Sequence, residues 1–113
     1  MISSDEAIQV LKSLSSNTVA FVSKEGARLL ADSGRIKALS EESFWIYSQN
    51  GMVGFEVPLK GNGATFDVSA PIFVLSEKER AAIPVGAQLS EGLLIDFTED
   101  DRWIFLIVPP RGW

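Results

Sequence analysis

The chain contains neither cysteine nor histidine. Without cysteine there is no disulfide framework, no thiolate metal or iron–sulfur site and no thiol nucleophile. Without histidine there is no Ser-His-Asp triad, no imidazole-ligated metal and no imidazole proton shuttle near neutral pH. Any enzyme on this scaffold must work with carboxylates, lysine, tyrosine, hydroxyls or a bound cofactor. Long apolar runs are missing too. The longest, Trp103 to Pro110, is far short of the ~20 residues that span a membrane. The opening stretch, Met1-Ile2-Ser3-Ser4-Asp5-Glu6, lacks the basic start and apolar core of a signal peptide. A cytoplasmic protein with no membrane partner is expected.

Basic residues are outnumbered, 10 Lys and Arg against 15 Asp and Glu, for a net charge of −5. They are also spread out, with Lys24, Arg28, Arg35, Lys37, Lys60, Lys78, Arg80 and Arg102 forming no run. A nucleic acid or an anionic membrane requires a concentrated basic patch, so neither is an expected partner. No resident cofactor or metal is expected either. Gly61-Asn62-Gly63 is followed by a strand and by no Lys-Ser or Lys-Thr pair, so it is a turn and not a phosphate cradle. Glu99-Asp100-Asp101 lacks the spaced ligands and central glycine of a calcium loop.

What is present is the composition of one globular domain over residues 1–113, with 46% apolar and 22% charged residues. Ser3 and Glu6 have capping-box spacing, and Ala7, Leu11 and Leu14, with Ile8 and Val10 beside them, form an apolar helical stripe that Ser15-Ser16-Asn17 ends. Thr18 to Val22 reads as a strand, followed by a turn at Ser23-Lys24-Glu25-Gly26. Residues 27–31 carry helix-forming types in the position of a returning strand, and the position favours strand. Asp32-Ser33-Gly34 reads as a further turn before a strand from Arg35 to Leu39.

Asn50-Gly51 between two β-rich runs is a two-residue hairpin signal, because both turn positions need positive φ. It places Phe44 opposite Val57, Trp45 opposite Glu56, Ile46 opposite Phe55 and Tyr47 opposite Gly54. One face is then apolar and the other mixed. A second hairpin is expected about Asn62-Gly63, with Leu59 facing Phe66 and Glu56 facing Ser69. Pro71 to Leu75 reads as a short strand. Ser76 and Glu79 form a second capping box, opening a helix over residues 76–83. A last hairpin turns at Asp100-Asp101 with Glu99 beside Arg102. Its second strand, Trp103 to Val108, is apolar without alternation, as in a strand covered on both faces. The triplet Leu-Ser-Glu begins at Leu39, Leu75 and Leu89, but the unequal spacing marks no repeat.

The fold class is therefore α+β: an N-terminal helix, a mainly antiparallel meander of about six or seven strands that can curl into a half-open barrel, and a short helix near residues 76–83. Three functions are compatible with these residues. A non-catalytic interaction domain, acting as a homodimer or as an inhibitor or adaptor, would use Trp45, Tyr47 and Trp113, since aromatic side chains anchor interfaces. Packing beneath a helix is the alternative for Trp45 and Trp103. A barrel of this size could instead hold a small ligand or a flavin that carries the chemistry. A carboxylate hydrolase would use Glu56 and Asp67, placed on neighbouring strands beside Trp45. The missing catalytic vocabulary favours the first.

Overall fold

The structure, a computed structural model, describes residues 1–49, 54–61 and 63–108. Its first element is helix α1, Ser4–Leu14. The expected capping box is formed: Ser3 Oγ accepts from the Glu6 amide at 3.1 Å, and the Ser3 amide donates to Glu6 Oε1 at 3.3 Å. Seven strands follow in one antiparallel sheet: β1 (Val19–Glu25), β2 (Arg28–Lys37), β3 (Ser43–Ser48), β4 (Gly54–Pro58), β5 (Ala64–Ser69), β6 (Gly92–Phe97) and β7 (Arg102–Ile107). Short helices α2 (Pro71–Val74) and α3 (Glu77–Arg80), with a 3-10 turn over Val85–Ala87, lie between β5 and β6.

The spatial order is β4-β3-β2-β1-β7-β6-β5, and the sheet curls into a half-barrel. Its inner face meets the apolar stripe of α1. Ala7, Ile8, Leu11 and Leu14 pack against Phe21, Phe44, Ile46, Ile95, Phe97 and Ile104 of the strands. A second, smaller core lies on the outer face of the central strands. There Ala20, Val22, Phe105 and Ile107 are covered by Leu75, Ile83 and Ala87 from the 71–87 segment, with Trp103 partly buried beside them. Gln88 ties this layer together, its Nε2 donating to the carbonyls of Ile83 and Arg80 at 2.9 and 3.2 Å.

The register of β3 against β4 is the expected one, from Phe44 opposite Val57 to Tyr47 opposite Gly54. The Asn50-Gly51 turn itself lies outside the described residues. Residues 28–31 are strand, as their position implied.

Several local expectations are corrected. The turn expected over Ser23-Lys24-Glu25-Gly26 shrinks to Gly26-Ala27, because Ser23, Lys24 and Glu25 belong to β1. The strand expected from Arg35 to Leu39 ends at Lys37, before Ala38 at φ 54°. Asp32-Ser33-Gly34 is not a turn but the middle of the ten-residue strand β2. Gly34 serves close approach instead: a Cβ there would collide with the Tyr47 carbonyl oxygen and stand 2.9 Å from its carbon. The second hairpin does not form, because β4 and β5 are opposite edges of the sheet and β5 pairs with β6. Pro58 ends β4, and the chain crosses through Leu59, buried in the inner core, and through Gly61 and Gly63, at φ 82° and 67°.

Pro71 to Leu75 begins a helix, not a strand, with Pro71 in the first turn where its missing amide costs no hydrogen bond. In the last hairpin Arg102 faces Phe97, with its guanidinium carbon 5.2 Å from the ring centroid, and not Glu99. This two-residue slip keeps every side chain on its expected face, since facing alternates with period two. The helix expected over 76–83 is shorter but keeps its capping box, with the Ser76 amide 2.8 Å from Glu79 Oε1.

Glu79 also fastens this layer to the sheet through Lys24 of β1, at 3.3 Å. Burial raises its pKa, but the Ser76 amide, the Lys24 ammonium and the Ser76 hydroxyl outweigh that and hold it below the ordinary value. A carboxylate depressed in the folded state adds stability that is present above the unfolded-state pKa. That contribution is lost as pH falls below about 4.5 and through the folded value. Glu79→Gln should lower stability at pH 7 and flatten the acid limb of the stability profile, read from urea midpoints between pH 7 and pH 3. Gly34→Ala should destabilise the fold by about 1–3 kcal/mol through forced separation of β2 and β3. Equilibrium urea unfolding measures it.

Candidate functional site

The two helical layers divide the sheet's surface unequally. Helix α1 covers the inner face, and the 71–87 segment covers the outer face at β1 and β7. The outer face of β2, β3 and β4 belongs to neither core. Residues on it are set by the pairing: Arg35 lies opposite Tyr47, Lys37 opposite Trp45, and Trp45 opposite Glu56.

Trp45 and Tyr47 are two residues apart on β3 and therefore share this face. Their rings stack, with centroids 5.9 Å apart and planes inclined by 17°. Gly54 makes room for the stack. A Cβ at Gly54 would stand 2.7 Å from Tyr47 Cδ1, so the bare backbone of β4 seats the tyrosine ring. Trp45 is half-buried and Tyr47 is 44% exposed, leaving one aromatic ledge open to solvent. The alternative for Trp45, packing beneath a helix, is not what the fold does with it. Trp103 does pack in that way.

Arg35 and Lys37 border the ledge, and with Thr18, Tyr47 and Gln49 they line a shallow hollow of about 320 Å³. Both cations are exposed, and among the described residues neither has a carboxylate within 4.0 Å. Glu56, on the far side of Trp45, accepts a hydrogen bond from Ser43 Oγ at 2.8 Å.

Glu56 and Asp67 do not lie on paired strands as expected. Five strands separate β4 from β5, the two edges of the sheet, and β5 pairs with β6. Asp67 instead takes the Met1 ammonium at 2.9 Å, where the Ile2 amide also donates to the Phe66 carbonyl and covers part of the β5 edge. Trp113 lies outside the described residues. Among those described, no three carboxylates converge on a point that could hold a metal ion. Among the described residues no helix is long and apolar enough to cross a membrane.

A second concavity, of about 460 Å³, opens at the mouth of the half-barrel. Phe55 and Leu30 supply its apolar wall, and Glu25 sits between Arg28 and Arg102 on adjacent strands. Sequence reasoning did not find it, because its residues come from four strands and only the curl makes them neighbours. The pairing of Arg35 and Lys37 with the aromatic ledge was legible only after β2 proved to be continuous.

No known family model, characterised protein or solved structure matches this chain. The geometry of the ledge therefore carries the functional argument. Gly54→Ala should displace the Tyr47 ring and break its stack on Trp45. The expected result is an altered near-UV circular dichroism spectrum with an unchanged far-UV spectrum.

Proposed function

We propose that this chain is a non-catalytic protein-interaction domain whose contact surface is the outer face of β2, β3 and β4, centred on Trp45 and Tyr47. The observation that carries this reading is the exposed stack itself. Among the described residues the domain has two helical layers with which to cover large aromatic rings, and neither layer takes in Trp45 or Tyr47. Stacked Trp and Tyr rings lose little conformational entropy when a partner buries them, and such pairs dominate interface energetics. Arg35, Lys37 and Glu56 supply a polar rim around them, the arrangement common to protein interfaces. The absence of cysteine and histidine leaves few catalytic groups, and the two strongest carboxylate candidates stand on opposite sheet edges.

A small-ligand reading draws on one specific observation, the 460 Å³ hollow at the barrel mouth. Its size is within the range of ligand sites, which often occupy barrel mouths.

The two readings separate experimentally. With a photoreactive benzoylphenylalanine in place of Tyr47, illumination in the source cells should give a discrete protein adduct. Trp45→Ala should abolish that adduct, and the same probe at Phe73, exposed on the other helical layer, should not give it. Equal adducts at both positions, or none at 47, would remove this assignment. Native mass spectrometry of gently purified protein covers the alternative, where a stoichiometric added small-molecule mass would favour the barrel mouth.

A further inference from the structure

The fold creates a local charge that the overall composition hides. The chain carries a net charge of −5, yet Arg35 and Lys37 stand on the same face of β2 without a carboxylate partner among the described residues. Their directly opposed neighbours on β3 are the aromatic rings, Tyr47 and Trp45, not acids. The nearest acid placed by the pairing is Glu56, one strand further on, and it is engaged by Ser43. At physiological ionic strength the screening length is about 8 Å, so a group docking on the ledge feels Arg35, Lys37 and Glu56, a net positive charge, far more than the acids elsewhere on the chain.

We infer that the ledge binds an extended acidic peptide segment, with carboxylates at alternate positions on Arg35 and Lys37 and an apolar side chain laid on the Trp45–Tyr47 stack. This rests on the ledge being the interaction surface. The spacing argues for the extended form. Same-face positions on a strand are roughly 7 Å apart, the repeat of alternate side chains in an extended partner, and the next strand lies about 4.8 Å away. One side chain of such a partner can therefore reach the rings while its neighbours reach the cations. The hollow of about 320 Å³ beside Arg35, Lys37 and Tyr47 leaves room for a carboxylate-bearing side chain. Nucleic acid fits less well. Its affinity grows with the number of phosphates neutralised, two cations neutralise few, and the rest of this acidic chain repels a long polyanion.

The test uses the full chain and a fluorescein-labelled ten-residue peptide with two glutamates at alternate positions beside a leucine, in a serine-glycine background. Fluorescence polarisation should show saturable binding that weakens at least about tenfold in the Arg35→Glu, Lys37→Glu double variant. A peptide with lysines in place of the glutamates should fail on the natural chain and bind the double variant. Both residues are exposed, so the fold should survive. Arg35→Gln with Lys37→Gln provides a neutral version that should also weaken binding. Equal affinity for a glutamine-substituted peptide, or indifference to charge reversal, overturns the inference. Displacement by a single-stranded oligonucleotide of matched charge overturns it in favour of nucleic acid. Glu99 and Asp101 of this chain share the alternate spacing, so self-association abolished by the double variant, without peptide binding, overturns it in favour of a second copy. If the crosslink at position 47 forms and the acidic peptide does not compete with it, the partner chemistry fails and the interaction surface stands. If no adduct forms at 47, both fail.

Discussion

Strand β7 carries apolar side chains on both faces, and the rest of the architecture follows from covering them. Ile104 and Leu106 point into the half-barrel, while Phe105 and Ile107 point outward, and all four are fully buried. A strand of this kind is stable only in the middle of a sheet with a layer on each side. Helix α1 supplies the inner layer through Ala7, Leu11 and Leu14. The 71–87 segment supplies the outer one through Leu75, Ile83 and Ala87. Burial of apolar surface in these two layers, at about 25 cal/mol per Å², stabilises the sheet from both sides.

That division of labour also decides which surface remains free. The outer layer is short, and it is used on β1 and β7, where the apolar side chains are. Nothing comparable reaches the outer face of β2, β3 and β4 among the described residues. Trp45 and Tyr47 shield each other there by stacking, and Gly54 lowers the floor beneath the tyrosine. The cations bordering them belong to a strand whose inner residue, Ile36, is buried in the larger core. The proposed contact face is therefore held by the same sheet that α1 stabilises, which gives it a rigid base.

Much of the local structure could be read from the residues. Ser3 with Glu6, and Ser76 with Glu79, announced two helix starts because side chain and amide must satisfy each other three residues apart. The register of β3 on β4 followed from the need to put Phe44, Ile46 and Val57 on one face. The errors share a cause. Gly34 resembles a turn residue but is needed for close approach to the Tyr47 backbone, which no single segment reveals. Gly61 and Gly63 resemble a hairpin turn because a chain crossing from one sheet edge to the other needs the same positive φ. Glu56 and Asp67 were neighbours only as long as that hairpin was assumed.

By itself the sequence determined what depends on short range: the fold class, the helix caps, the alternation of inward and outward side chains, and the chemistries that a chain without cysteine or histidine cannot perform. Strand order was decided only by the tertiary structure, since it depends on which apolar faces can be buried together across dozens of residues. The same step placed the two carboxylates on the two edge strands and joined Arg35 and Lys37 to the Trp45–Tyr47 stack. Adjacency between strands distant in sequence is a property of the whole buried core, and no local pattern of residues encodes it.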